Sequence, residues 1–386
     1  MGERVCGLLG RKLGHSWSVP IHEALGCRGY RLIELEPEDL ASFLARADIG
    51  GLNVTIPYKR DVMPLCGEID PAAADIGSVN TIVRGADGVL RGYNTDIDGF
   101  IYMARRAGAR EIAVISRSGP DNYGNLHRHA DAEVLVNTTP VGMYPGNGAA
   151  PVDLTAFPQC RGVLDVVYNP RRTALLLQAE ELGIPCCDGL PMLVAQAKRA
   201  EEHFTGRAIP DSENERILSQ LRREMGNIVL IGMPGCGKST VGRLLADLTG
   251  REAVDIDQQI ALRAGCSIPE IFARGGEAEF RALEREETAR AGALTGKILL
   301  TGGGAVKTPA SYGALRQNGR IYHLLRDLGT LPTDGRPLSQ GADLGAMWRQ
   351  REPLYRRFRD VTMDNNGLAE DTAAAIWRDF CEHSGD

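Results

Sequence analysis

Short apolar runs alternate along the chain with longer stretches whose apolar residues recur at helical spacing. This is the pattern of an α/β protein. The runs predict strands at 5–9, 51–55, 111–115, 133–136 and 163–167, then at 227–231, 253–255, 297–301 and 320–324. The stretches between them predict helices at 37–46, 173–182, 193–204 and 239–248. A charged, helix-prone stretch from Asp211 to Gly226 joins two parts of different motif content. It reads as a linker or connecting helix, with a domain boundary near Gly226.

Composition narrows the class. A length of 386 residues suggests two or three domains. Hydrophobic content of 43% with 24% charged residues argues against disorder. The net charge of −6 argues against a nucleic-acid partner. No apolar run approaches the roughly 18 residues that span a bilayer, and Met1–Cys6 lacks a basic-then-apolar leader. The nine cysteines are scattered without a CxxC pair, which fits reduced thiols and no zinc site. The expectation is a cytoplasmic enzyme, monomeric or a small homo-oligomer, with small-molecule substrates and no membrane partner.

The sharpest motif is Gly232-Met233-Pro234-Gly235-Cys236-Gly237-Lys238-Ser239-Thr240, which matches GxxxxGK[ST]. An apolar run precedes it and a helical pattern follows, the context of a P-loop. Its backbone N–H groups and helix N-terminus suit phosphate oxygens. Lys238 would reach the β- and γ-phosphates of ATP, and the Ser239 hydroxyl would ligate Mg²⁺. Cys236 within the loop raises an expectation of thiol sensitivity. Asp255 and Asp257 close the next strand. Phe280-Arg281, Gly302-Gly303-Gly304, Arg336-Pro337-Leu338 and Arg351-Glu352-Pro353-Leu354-Tyr355 follow. Taken singly, Asp257 also reads as a helix cap, and the arginines as solvated helix charges.

In this order the landmarks resemble shikimate kinase from about residue 226 to the C-terminus. The resemblance implies that Asp257, Arg281, the glycines Gly302, Gly303 and Gly304, and Arg351 hold shikimate. It places Asp257 on the attacking hydroxyl, Arg336 on a lid over ATP and Asp255 near Mg²⁺. Gly235, Cys236, Gly237, Lys238, Ser239 and Thr240 would bind ATP.

The first half has its own set: Ser16 and Ser18, Thr55 to Lys59, Asn80, and Asn94-Thr95-Asp96. These donors and acceptors suit a polyhydroxylated carboxylic acid, with Lys59 and Asp96 as a proton-transfer pair. With Asn137-Thr138-Thr139-Pro140, Asp165 to Pro170 and Gly189 to Gln196, the set resembles shikimate dehydrogenase. That implies a site lined by Ser16, Ser18, Thr55, Lys59, Asn80, Asp96, Tyr168 and Gln196, acting on shikimate or 3-dehydroshikimate with NADP. One small departure is Val19 between Ser18 and Pro20.

A larger departure follows Asp96. The family runs there through a strand, a Gly-rich loop and a helix. This chain passes from Met103-Ala104 almost directly to the run at 111–115 and Ser116-Arg117-Ser118, which resembles the segment receiving the NADP 2′-phosphate. The front half of a βαβ unit is absent, and with it the pyrophosphate cradle. The expected fold is therefore a substrate domain at 1–98, an incomplete Rossmann domain at 99–206, a linker at 207–226 and a P-loop kinase domain at 227–386. The expected function is a kinase joined to a dehydrogenase-like domain for which NADP is doubtful. Two alternatives stay open: a bifunctional NADP-dependent enzyme, and a non-catalytic N-terminal module that binds shikimate or dehydroshikimate.

Overall fold

The computed structural model describes residues 4–14, 16–104, 113–117, 119–331 and 343–384. The chain divides into two compact units. The first comprises 1–137, 156–166 and 185–218; the second comprises 138–155, 167–184 and 219–386.

The first unit contains two sheets. Six strands form the larger one: β1 (Val5–Gly10), β2 (Arg31–Glu34), β3 (Ile49–Val54), β4 (Glu68–Ile69), β5 (Thr81–Arg84) and β6 (Leu90–Tyr93), in the order β2-β1-β3-β5-β6-β4. β1, β2 and β3 are parallel, while β5 runs antiparallel to both β3 and β6. The core on this sheet is aliphatic, with Leu9, Ile49, Leu52, Val54 and Ile82 buried. The helix Asp96–Ala104 leaves the end of β6 and packs on the helix Leu190–Thr205. Their approach needs Gly99, where a Cβ would lie 2.6 Å from the Met192 carbonyl oxygen.

The smaller sheet has three parallel strands, β7 (Val134–Asn137), β8 (Gly162–Asp165) and β9 (Cys186–Cys187), in that order. A complete doubly wound sheet has six strands, ordered 3-2-1-4-5-6. Three parallel strands in chain order match its second half. The strand expected at 111–115 does not form over 113–115; residues 111 and 112 lie outside the described residues. A strand needs a hydrogen-bonding neighbour, and the segment that would pair with this one is missing from the sequence. Val114 is accordingly 74% exposed. Ser116 makes only an isolated bridge to Asn122.

The charged stretch before Gly226 is a helix, Ser212–Met225. Ile217, Leu218, Leu221 and Met225 are buried at helical spacing.

The second unit holds one parallel sheet of β10 (Asn227–Ile231), β11 (Ala253–Asp255), β12 (Ile298–Leu300), β13 (Gly319–Leu325) and β14 (Val361–Asp364). The order is β11-β12-β10-β13-β14. The central strand β10 is buried along its whole length, as a parallel strand covered on both faces should be. β10 pairs in register with β12 and β13, so all five strands end at one edge. Ligands collect at that edge in open α/β sheets.

These environments separate two apolar residues that look alike in the sequence. Leu230→Ala, in the fully buried β10, should cost about 2–5 kcal/mol. Val114→Ala should change stability by less than about 0.5 kcal/mol. Urea unfolding followed by circular dichroism measures both. A large loss from Val114→Ala would mean that the residue is packed in a strand after all.

Candidate functional sites

In the second unit β10 runs into the glycine loop, and the helix Lys238–Thr249 leaves it. Gly237 caps that helix at φ +99°, a left-handed conformation that favours glycine. Lys238 Nζ donates to the Gly232 and Met233 carbonyls at 2.8 and 3.1 Å, holding the cation within the arc of the loop. Ser239 and Thr240 are exposed at the helix start. The Cys236 thiol is only 1% exposed, so a reagent would have to open the loop to reach it. That argues against the expected thiol sensitivity.

Asp255, not Asp257, caps the helix Ile256–Ala264. Its Oδ1 accepts from the Asp257 and Gln258 amides at 3.0 and 3.3 Å. This leaves the Asp257 carboxylate free to face the strand ends. A Cβ on Gly302 would sit 2.7 Å from Asp257 Oδ1 and 3.1 Å from Glu284 Oε1, so two acids converge on one glycine. Burial and the neighbouring Asp255 and Glu284 raise the Asp257 pKa to about 6, against the opposing pull of Lys238 and Arg281.

Arg281 lies on the helix Ile268–Gly292, past a break at Gly276. Its guanidinium sits against Gly304, donates to Glu284 Oε2 at 2.5 Å, and meets Glu277 at 3.1 Å. Arg351 Nη1 and the Tyr355 hydroxyl both donate to the Gly303 carbonyl, at 2.9 and 2.6 Å. The structure thus brings Asp257, Arg281, Gly302, Gly303, Gly304 and Arg351 together beside the phosphate loop. Arg336 lies outside the described residues.

Sequence reasoning missed Glu284. It is fully buried, and burial raises its pKa. Oε2 holds Arg281, while Oε1 has no hydrogen-bond partner. The available signal was the i, i+3 spacing from Arg281, but such pairs are common on solvated helix faces.

In the first unit Lys59 Nζ and Asp96 Oδ2 are 2.5 Å apart, and each is more than a quarter exposed. Asn80 organises their surroundings. Its Oδ1 accepts from the Thr95 amide at 2.7 Å and the Thr81 hydroxyl at 3.0 Å, and its Nδ2 donates to Gln196 Oε1 at 3.3 Å. The Asn94 side chain accepts from the Asp96 amide at 3.1 Å, and its Nδ2 donates to the Ser78 carbonyl at 2.9 Å. Thr81, Thr95 and Asn94 therefore support the site; the sequence set includes Asn94 and Thr95 but assigns a role to none of the three. Ser16 Oγ lies 3.2 Å from Ser18 Oγ. Thr55 packs against Gly10. Tyr168 falls in the second unit and is half-buried.

Among the described residues, those expected to meet NADP form no cradle for it. Ser116 and exposed Arg117 lie in a local turn, where Ser116 Oγ accepts from the Gly119 amide at 2.8 Å. Ser118 lies outside the described residues. No glycine-rich turn joins a strand to a helix N-terminus among the described residues between Asp96 and Val134.

Comparison with known proteins accords with two kinds of site. The shikimate kinase family model matches residues 234–381. The model of the shikimate dehydrogenase substrate binding domain matches 8–82. Shikimate dehydrogenase (NADP(+)) of Clostridium perfringens (strain SM101 / Type A) is 32% identical over 268 residues, spanning 57% of this chain and 98% of the relative. The enzyme of the same name from Methanopyrus kandleri is 34% identical over 280 residues, spanning 56% of this chain and 96% of the relative. A chorismate mutase/shikimate 5-dehydrogenase fusion protein from Clostridium acetobutylicum matches with a TM-score of 0.53 at 33% identity, covering 57% of this chain and 97% of that chain. In the Clostridium perfringens match, 57% of 386 residues is about 220, so about 50 of the 268 aligned positions lack a residue here.

The acid cluster has a direct test. Asp257 should titrate near pH 6, protonated below and ionised above. Glu284→Gln removes a like charge and should lower that midpoint. Carboxyl ¹³C chemical shifts with selectively labelled aspartate would report both; an unmoved midpoint would uncouple the two acids.

Proposed function

The chain belongs to the shikimate dehydrogenase family through its N-terminal part and carries a shikimate kinase domain in its C-terminal part; from that premise we infer that it phosphorylates the 3-hydroxyl of shikimate with ATP, and that its N-terminal unit binds the same class of ring acid without NADP turnover. The observation that carries the kinase half is the convergence of Asp257, Arg281 and Arg351 on the three glycines, at the sheet edge where the phosphate loop opens. Two guanidiniums suit a carboxylate. Asp257 is the group for the reacting hydroxyl, which it orients or deprotonates. The hydroxyl oxygen forms a bond to the γ-phosphorus, the bond to the β,γ-bridging oxygen breaks, and the hydroxyl proton passes to Asp257 or solvent. Shikimate 3-phosphate and ADP result. Lys238 and the loop amides neutralise developing charge on the phosphoryl oxygens.

Mg²⁺ fits the residues present. The exposed Ser239 hydroxyl has no protein partner among the described residues, and Asp255 keeps one carboxylate oxygen outside its capping bonds. A nucleotide-borne Mg²⁺ asks for about this few protein ligands. When bound it would supply charge neutralisation between phosphate oxygens.

In the N-terminal unit the Lys59–Asp96 pair and the Asn80 network support a site for a hydroxylated ring acid. The three-stranded sheet and the absent glycine loop favour a binding module over a working dehydrogenase. The borders at 98/99, 206/207 and 226/227 belong to this reading. No described helix is long and apolar enough to cross a membrane.

Purified protein should phosphorylate shikimate with ATP and form no NADPH from shikimate plus NADP⁺. NADPH at an enzymatic rate would restore the bifunctional reading. Because Asp257 must be ionised to take a proton, kcat/KM for shikimate should fall about tenfold per pH unit below about pH 6. A flat profile between pH 5 and 7 would remove Asp257 from the proton's path.

A further inference from the structure

The kinase motifs account for one side of the phosphate loop and leave the other side without assigned chemistry. Around β10 the sheet order divides the edge. The residues proposed for the acceptor, Asp257 and the three glycines, follow β11 and β12 on one side. β13 and β14 end on the other side, and two residues there press on the loop.

Asn365, just past β14, is 4% exposed. Its Nδ2 donates to the Cys236 carbonyl at 2.7 Å, while Oδ1 has no partner. The contact is so close that a Cβ on Gly237 would lie 2.5 Å from Asn365 Nδ2. Arg326, just past β13, is exposed, and its Nη1 lies 3.9 Å from the same Cβ position. Arg326 has no hydrogen-bond or ion-pair partner among the described residues. Its backbone is nevertheless fixed. Leu325 O accepts from the Asn365 amide at 2.8 Å, and the Asp327 amide donates to Asn366 Oδ1 at 2.8 Å. Asn366 is itself tied to Asp364 at 2.7 Å.

A guanidinium with no partner among the described residues, beside Gly237 at the positive end of a helix, is repelled by that end. Such a cluster is favourable when an anion enters it. We propose that Arg326 binds the α/β-phosphate part of ATP, the part that leaves as ADP, and that Asn365 is a positioning residue that fixes the phosphate loop through the Cys236 carbonyl. This rests on the kinase reading and adds the direction in which the nucleotide lies: transferable phosphoryl toward β12, remainder toward β13 and β14.

The test is ADP binding by titration calorimetry, with steady-state kinetics of the full chain alongside. Arg326→Ala should weaken ADP binding and raise the KM for ATP by about tenfold or more, with the KM for shikimate within about twofold. Arg326→Lys should recover most of the loss, because the contact is to charge. Asn365→Ala should weaken ADP binding with its circular dichroism spectrum retained, and Asn365→Asp should weaken it further by placing negative charge at the loop. If wild-type protein phosphorylates shikimate while Arg326→Ala binds ADP as wild type does, the assignment is overturned and the kinase reading stands. If wild-type protein neither binds ADP nor phosphorylates shikimate, the kinase reading itself falls. An equal rise in both KM values for Arg326→Ala would also overturn the assignment, since it would mean a general disturbance of the site.

Discussion

The parallel pairing of β10 with β12 and β13 is the constraint on which the kinase chemistry depends. Registered parallel strands deliver their carboxyl ends to one edge, so residues distant in sequence arrive there together. The phosphate loop, the three glycines, Asp257, Arg326 and Asn365 are all placed by this pairing. Burial of β10 on both faces then makes the edge rigid, because moving any one loop would require moving a packed strand. The active chemistry needs that rigidity, since phosphoryl transfer is mostly a matter of position and charge.

Within that frame the charges are arranged in layers. Glu284 sits in the interior and holds Arg281 against Gly304. A buried carboxylate is costly alone and is tolerated here because a guanidinium meets it. Asp257 lies nearer the opening, its pKa raised to about 6 by burial and then by Asp255 and Glu284, with Lys238 and Arg281 pulling the other way. The two acids differ in their surroundings, one holding an arginine and the other turned toward Gly302 with an unpartnered oxygen.

Much of this was legible in the sequence where the chemistry demands a residue type. The phosphate loop could be read because its backbone needs glycine at positions such as Gly237. β10 and β11 matched their apolar runs to the residue. The short strands β2, β4, β5, β6, β9 and β14 were not read, since two to four residues of mixed character carry too little periodicity. Glu284, Arg326 and Asn365 were hidden for a related reason: each is an ordinary polar residue whose role comes only from what the sheet puts beside it. The run at 111–115 failed in the opposite direction. Its composition is that of a strand, but a strand is a property of a pair, and the sequence holds no partner for it.

That last failure bears on function. Rossmann domains and P-loop domains hold phosphate by the same device, a glycine turn leading from a parallel strand into a helix N-terminus. This chain has the device at Gly232–Ser239, after β10, and shows none among the described residues between Asp96 and Ser116. The substrate side of the N-terminal unit does not depend on that device. Asn80 ties β5, Thr95 two residues past β6 and the helix Leu190–Thr205 into one network, none of which belongs to the three-stranded sheet. A missing dinucleotide cradle and an intact Lys59–Asp96 and Asn80 network are therefore structurally compatible, because different parts of the unit build them.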